Sequence, residues 1–262
     1  MRDIQQALKE HKQRVLDAGY AEEQILGIFL YGSQNYGTEN DNSDVDTKCI
    51  LIPTINQLAF HPINVKELRL YNDEHCEVMD IIHLVKNFRK QNTNFIEILY
   101  TKYCWINPFY ENLWKENFLN QKEYISHYDM NKYLQSICGQ AISTLNQNPL
   151  DGKKCGNGRR LQYFLTRYLN GEEYSTCIKL NNTVIKEILN IKTSTMNDDS
   201  YAKELIKWFE QIRALEVIRP RMEKDGLGID SKRIDRHMED GVEKMIEKLR
   251  YGEENFNNYI LS

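Results

Sequence analysis

The pattern of apolar and polar positions predicts strands in the first part of the chain. Residues 25–31 and 45–52 are short apolar runs bounded by glycine or proline, which is typical of buried strands. Residues 74–79 alternate polar and apolar side chains, so they predict a strand with one buried face. Residues 103–106 predict a further strand, and residues 54–72 predict a loop with a short helix or strand.

Helical periodicity opens the chain and dominates it after Pro108. Residues 1–18 predict an amphipathic helix that packs on the sheet, and Gly19 is its stop signal. Further helices are predicted over residues 110–120, 130–146, 158–169, 183–191, 201–218 and 231–249. We therefore predict two domains, residues 1–108 and residues 109–262, with the helical domain packed against the open side of the sheet and walling a cleft.

The polar segment between the first two predicted strands contains candidate chemistry. Asp44 and Asp46 lie two residues apart on the second strand, so both carboxylates are expected to leave the same face of the sheet. Two like charges side by side repel each other, and a fold rarely accepts them unless a cation lies between them. Gly32 and Ser33 lie just upstream, where backbone N–H groups and a hydroxyl can cradle phosphate oxygens. This combination suits metal-assisted phosphoryl or nucleotidyl transfer, whereas the plainer alternative is a polar hairpin capped by the aspartates.

At this segment the chain resembles a known superfamily, the DNA polymerase β-like nucleotidyltransferases, and within it the RlaP/YcgL-type predicted nucleotidyltransferases. The residues that match its GS…SDxD signature are Gly32-Ser33, Tyr36-Gly37, Ser43-Asp44 and Asp46. The resemblance implies an α+β fold, a nucleotidyltransferase mixed sheet with helices, followed by an all-helical C-terminal domain. It also implies transfer of a nucleoside monophosphate from an NTP to a hydroxyl group with release of pyrophosphate.

A third carboxylate is expected on a neighbouring strand, because a two-metal site of this kind uses one. The candidates are Glu77 and Asp80, which point to opposite faces of a regular strand. Asp80 precedes a helical pattern and is explained as its N-cap, so we predict Glu77 as the third ligand and base, with Asp80 as the alternative. His75 shares the face of Glu77. The predicted catalytic and metal-binding residues are therefore Asp44, Asp46 and Glu77, holding two Mg²⁺ ions, with Mn²⁺ as the alternative ion.

A local basic cluster follows in the helical half. Its residues, set among glycines, are Lys153, Lys154, Arg159, Arg160 and Arg167. Arg159 and Arg160 lie near the predicted start of a helix, where they can meet phosphates of a nucleotide or of a nucleic acid. The predicted nucleotide-binding residues are Gly32, Ser33, Lys154, Arg159 and Arg160. The alternative for the basic residues is a solvated helix edge.

Composition and charge limit the remaining classes of function and partner. The net charge of −4 gives no global attraction to nucleic acid, so any basic surface must be local. The six cysteines are scattered without a CxxC pair, which argues against a zinc site and favours a reducing, cytoplasmic setting. The N-terminus is charged and no apolar run approaches a membrane span, so no membrane partner is expected. The chain has no HExxH, GxSxG, P-loop or GxGxxG motif.

The sequence does not identify the acceptor of the nucleotidyl group. An NTP is the expected substrate, and the resemblance hints at RNA, with tRNA included, as the acceptor. The alternatives are a toxin-like enzyme that modifies a protein, an enzyme that modifies a small molecule, and a catalytically silent nucleotide-binding module. Neither the nucleotide preference nor the oligomeric state follows from the residues.

Overall fold

The first half of the chain is built around a five-stranded mixed sheet. The computed structural model describes residues 2–39, 43–70, 74–193, 199–214 and 231–260, with residues 253–260 described by their backbone. The strands are β1 (Ile25–Tyr31), β2 (Asp46–Leu51), β3 (Lys66–Arg69), β4 (His75–Asp80) and β5 (Cys104–Ile106). Their order across the sheet is β3-β4-β2-β1-β5.

Strand pairing makes the sheet mixed. β1 pairs antiparallel with β2 and β5, and β3 pairs antiparallel with β4, whereas β2 and β4 run parallel. A parallel pair needs a crossover connection, and the chain between them forms α2 (Ile55–Ala59) and β3. The four strands predicted from the sequence are confirmed to within one residue at each end. The mixed sheet with helices confirms the predicted α+β class.

The two faces of the sheet bury different cores, because side chains alternate along each strand. On one face, Cys49 and Val78 pack with residues of α1 (Ile4–Asp17), which confirms the predicted packing helix. On the other face, Ile50 and Met79 join a larger core that is formed mainly by helices of the second half. The helical half therefore packs against the open side of the sheet, as predicted.

After β4 the regular elements of the described residues are helices, except for the short strand β5. The helices are α3 (Ile81–Arg89), α4 (Thr93–Ile96), α5 (Glu111–Asn117), α6 (Lys122–Ser126), α7 (Met130–Leu145), α8 (Gly152–Leu169), α9 (Tyr174–Cys177), α10 (Asn182–Thr193), α11 (Asp199–Ala214) and α12 (Ser231–Ile260). Each predicted helix of the second half is present, and residues 215–218 of one of them lie outside the described residues. Within the described ranges, no helix is both long enough and apolar enough to cross a membrane.

One core joins the two halves. The ring of Phe29 on β1 lies 5.2 Å from the ring of Trp114 on α5, and both side chains are buried in the same cluster. Trp114 in turn stacks on Phe118, at 4.8 Å between ring centroids. These three aromatic residues therefore pack in the interior. The domain boundary at residue 108 stays a prediction.

Helix α8 begins at Gly152, six residues before the predicted start at residue 158. The Asp151 carboxylate caps it by accepting a hydrogen bond of 2.8 Å from a backbone N–H of the first turn. The glycines lie where α8 meets α10. A Cβ atom on Gly152 would lie 2.4 Å from the carbonyl oxygen of Ile191, and one on Gly156 would lie 2.8 Å from Cγ of Lys192. These glycines permit close helix packing instead of ending the helix.

The close contact between α8 and α10 predicts a large effect at Gly152. Gly152→Ala is expected to lower the free energy of unfolding by about 1–3 kcal/mol, because the new methyl group meets a backbone oxygen that can move only if the helices separate. Gly139→Ala in α7 is the matched control, since its Cβ would find no atom within 4 Å. Removing this helical glycine should stabilise the protein by up to about 1 kcal/mol. Urea unfolding measures both, and a stabilising Gly152→Ala would contradict the close contact.

Candidate active site

A cleft of about 560 Å³ opens between the ends of β1 and β2 and the helices α8 and α10. Pockets of roughly 300–1,000 Å³ are the usual size for small-molecule ligands. From the sheet side it is lined by Gly32, Ser33, Tyr36, Thr38, Ser43, Asp44 and Asp46. From the helical side its charged lining residues are Asp151, Lys153, Lys154, Arg160 and Lys192. The structure thus brings together the Gly-Ser loop, both aspartates and two of the three predicted cations.

The loop after β1 is held in place by its own hydrogen bonds. Gly32 has a φ of 87°, which glycine adopts without the steric cost that a Cβ atom would add. A single 3₁₀ turn, Ser33–Asn35, follows it. The Asn35 side chain donates to the carbonyl of Leu30 at 3.0 Å and accepts from the Thr101 hydroxyl at 2.7 Å. These bonds fix the backbone that presents Ser33 to the cleft.

The two aspartates both line the cleft, but only one belongs to the strand. Asp46 is the first residue of β2 and pairs with Tyr31 of β1. Asp44 precedes the strand and is exposed. The prediction that both carboxylates project from one strand face is therefore wrong for Asp44, because the pairing with β1 begins only at Asp46.

Asp46 is the carboxylate of the cleft whose surroundings are unfavourable to its charge. One of its oxygens, Oδ1, is buried without a hydrogen-bond partner among the described residues. Burial raises the pKa of Asp46, and the charge of Asp44 adds to that effect, while His75 and Lys153 oppose it. A buried carboxylate oxygen that lacks a protein partner costs free energy unless a ligand satisfies it. This atom is consequently suited to a cation.

Glu77 does not join the aspartates. It lies on β4 level with Lys48 of β2, and the Lys48 ammonium pairs with its carboxylate. Glu77 is absent from the described residues that line the cleft, and the described part of the chain has no group of three or more His, Cys, Asp or Glu side chains placed to hold a metal. Asp80 caps α3 by accepting from the backbone N–H of His83 at 2.6 Å. The structure therefore does not assemble the predicted set of three carboxylates.

The two predicted arginines point in different directions. Consecutive residues of a helix are turned by about 100° from each other, and of these two only Arg160 lines the cleft. Arg159 points away and pairs with Glu187, at 2.8 Å from Nε to Oε1. The prediction that Arg159 binds nucleotide thus lacks support in its position. Because α8 begins at Gly152, neither arginine lies at the helix start.

Arg160 lines the cleft but is largely occupied by protein partners. It is 8% exposed, and its Nη1 donates to Oε1 of Glu97 at 3.3 Å. The guanidinium lies 4.0 Å from the ring centroid of Tyr36, a residue of the loop after β1. Arg160 therefore connects α8 to the loop that holds Ser33, and Glu97, which is 3% exposed, balances its charge.

The lysines of α8 are less restricted. Lys153 is exposed. The Lys154 ammonium donates to the carbonyl of Pro149 and lies 3.5 Å from Oδ2 of Asp151. Both side chains line the cleft opposite the aspartates. Lys154, a predicted nucleotide-binding residue, thus lines the cleft, and Lys153 is an additional cation of the same wall.

The sequence reasoning missed Lys192 and Thr38. Lys192 lies in the last turn of α10, and its ammonium donates to the carbonyl of Thr38 at 2.5 Å. Nothing in the local pattern marks either residue, because a lysine at the end of an amphipathic helix is usually a solvated cation. Their role becomes visible only when α10 is packed against α8.

The residues present fit a hard divalent cation. Mg²⁺ is commonly bound by one or two carboxylates together with substrate phosphates and water. Asp44 and Asp46 supply two carboxylates, and the unpartnered Oδ1 of Asp46 is the atom that most needs a ligand. The cations on the opposite wall suit the phosphates that would complete the shell. A third protein carboxylate is not required for this arrangement.

Comparisons with known proteins add little to this geometry. No family model matches the chain, and no curated protein matches it. Among solved structures, the chain is similar to a nucleotidyltransferase-like protein from Exiguobacterium sibiricum 255-15, with 11% sequence identity, 94% of this chain and 75% of that chain covered, and a TM-score of 0.32. A likeness at this TM-score does not extend to activity or substrate. The α+β class follows from the sheet and helices of this chain themselves.

Proposed function

We propose that the protein is a metal-dependent nucleotidyltransferase that moves a nucleoside monophosphate from an NTP to a hydroxyl acceptor. The observation that carries the proposal is that one cleft combines Ser33, Asp44 and Asp46 with cations from the helical half. A polyphosphate bridging the two walls would place negative charge against the cations and complete the coordination of an ion at the aspartates. The resemblance of residues 32–46 to polymerase β-like nucleotidyltransferases supports the same reaction.

The residues of the chain have separate tasks in this reaction. Gly32 and Ser33 bind phosphate oxygens at the end of β1, and Lys154 neutralises part of the polyphosphate charge. Arg160 holds the loop in place through Tyr36. The acceptor oxygen forms a bond to the α-phosphorus while the bond from that phosphorus to the bridging oxygen breaks. Pyrophosphate leaves, and the proton of the acceptor hydroxyl passes to water.

Asp44 and Asp46 would hold Mg²⁺, or Mn²⁺ in its place. The ion supplies charge neutralisation at the polyphosphate and lowers the pKa of the attacking hydroxyl. Two ions are expected for this class of reaction, and phosphate oxygens of the substrate would provide the remaining ligands.

RNA, with tRNA included, is the acceptor class that we propose to test first. The sequence resemblance supports this choice, and Lys153 provides an exposed cation at the rim of the cleft. Nucleotidyltransferases of one fold can modify RNA, proteins or small molecules with the same site. The experiment must therefore separate the transfer chemistry from the identity of the acceptor.

Incubation with each α-labelled NTP, Mg²⁺ and total cellular RNA tests the proposal. The wild type should transfer label to a discrete RNA band, whereas Asp44→Ala/Asp46→Ala should transfer none. Asp240→Ala is the matched control, since Asp240 is an exposed carboxylate of α12 outside the cleft lining. It should retain full activity.

The outcomes separate the alternatives. Label on a protein or a small molecule, dependent on both aspartates, would support the transferase and overturn RNA as the acceptor. Equal transfer by the double variant and the wild type would overturn the assignment of the aspartates. Failure of the wild type to bind any NTP would mean that the chain is a silent scaffold and that the proposal is wrong.

A further inference from the structure

Lys192 reaches the cleft because two helices pack unusually closely. Gly152 and Gly156 lie one turn apart on α8, and each would clash with α10 if it carried a Cβ atom. The contact at Gly156 is with Cγ of Lys192 itself. The stem of Lys192 is therefore packed on α8, and its ammonium is directed to the loop after β1.

The ammonium of Lys192 has neutral partners. It donates to the carbonyl oxygen of Thr38 at 2.5 Å and lies 3.3 Å from the Thr38 hydroxyl. Among the described residues it forms no ion pair with a carboxylate. Thr38 is 1% exposed, and its backbone N–H donates to the carbonyl of Ser33 at 3.2 Å. Within the described part of the chain, Lys192 thus lies beside the Gly-Ser loop without a carboxylate in ion-pair contact.

The surroundings of Lys192 are unfavourable to its charge. Burial, together with the neighbouring cations Arg160 and Lys153 on α8, lowers the pKa of Lys192 to about 8, while Glu39 opposes the shift. A buried cation with other cations nearby is stabilised when an anion binds next to it. The cleft also contains Asp44 and Asp46, so the anion that fits best is one that carries its own metal ion, as a polyphosphate does.

We propose that Lys192 is a ligand of the polyphosphate of the nucleotide, supplied by the helical half and brought to the Gly-Ser loop by the glycine contact between α8 and α10. This inference rests on the proposed nucleotidyl transfer and names a residue of the same site. It assigns the helical half a direct part in substrate binding, in addition to covering the sheet.

Inorganic tripolyphosphate is the probe, titrated by calorimetry into the full chain in the presence of Mg²⁺. At pH 7, Lys192→Met should bind it about 10-fold or more weakly than the wild type, the usual cost of losing a hydrogen bond between charged groups. Lys186→Met is the matched control, because Lys186 is an exposed lysine of the same helix outside the cleft lining. Its affinity should equal that of the wild type.

A pH series distinguishes direct binding from a role in holding Thr38. The ionisable groups that face Lys192 are Arg160, Lys153 and Glu39, and Lys192 is the one whose pKa is brought to about 8. The bound form is the protonated ammonium, so the wild-type affinity should fall several-fold between pH 7 and pH 9. Lys192→Arg should keep its affinity across that range, since the guanidinium stays charged.

Each result bears on a different claim. If the wild type binds neither tripolyphosphate nor NTP, the proposed function fails together with this inference. If the wild type binds tripolyphosphate and Lys192→Met binds it equally well, only the role of Lys192 is overturned. If Lys192→Met is weaker but keeps the pH profile of the wild type, Lys192 acts only by positioning Thr38, and the inference is also wrong.

Discussion

Asp46→Asn should abolish nucleotidyl transfer and at the same time make the metal-free protein more stable. Replacing a residue that only orients a metal ligand typically costs 10–100-fold in metal affinity or activity, so loss of a direct ligand should cost at least about 100-fold in kcat/KM. The stability gain follows from burial, because Asp46 carries a charge with an unpartnered buried oxygen. Burying a neutral amide there costs less free energy than burying a charge. We expect the free energy of unfolding to rise by about 1 kcal/mol, which is typical of stabilising substitutions.

The pH dependence of this gain has a definite sign. Burial raises the pKa of Asp46 in the folded state, so above that pKa its charge destabilises the fold by the full amount. The ordinary pKa of an aspartate is about 4. Below that pH the carboxyl is protonated in both the folded and the unfolded state, so the penalty is absent. The advantage of Asp46→Asn should therefore be largest at neutral pH and shrink as the pH falls towards 4.

Thermal unfolding in the presence of a chelator, with Asp44→Asn as the matched control, measures the stability effect. Asp44 is exposed, so its substitution should change stability by no more than about 0.5 kcal/mol while still impairing transfer. An Asp46→Asn protein that is less stable than the wild type would show that the unpartnered oxygen has a structural role. Retained transfer would show that Asp46 does not hold the ion.

Arg160→Met should be among the most destabilising substitutions in the cleft, at about 3–5 kcal/mol. The variant leaves the carboxylate of Glu97, which is 3% exposed, without the cation 3.3 Å away that balances it. It also removes the guanidinium from the face of Tyr36, so the loop before Asp44 loses a contact with α8. Urea unfolding gives the size of the effect.

The neighbouring arginine provides the control for Arg160. Arg159→Met breaks a partly exposed pair with Glu187 and should cost less than about 1 kcal/mol. Arg160→Met/Glu97→Gln should recover part of the lost stability, since the double variant leaves no stranded charge. Equal losses for the two single variants would mean that the pair of Arg160 and Glu97 is hydrated and contributes little.

The local pattern was sufficient for the elements and for the heart of the site. Apolar runs ended by glycine or proline determine the strands, because a buried strand needs those side chains and its turn needs those backbones. Gly32, Ser33, Asp44 and Asp46 lie within fifteen residues, so the β1–β2 hairpin alone brings them to one place. Asp80 was also assigned correctly as a cap, because a capping carboxylate interacts with the turn that directly follows it.

Only the tertiary structure decided which charged residues face the cleft. Lys48 and Glu77 are 29 positions apart and meet through the parallel register of β2 and β4, so no local pattern could show that Glu77 already has a partner. The glycines of α8 give no local sign of a packing role, because their contact is with α10, a helix that begins thirty residues later. That contact directs Lys192 inwards, while the helical rotation between Arg159 and Arg160 turns one of them away. Short-range sequence thus determined the strands and the two aspartates of the cleft. Long-range packing determined the cations that oppose them, because strand register and helix contacts decide which distant residues become neighbours.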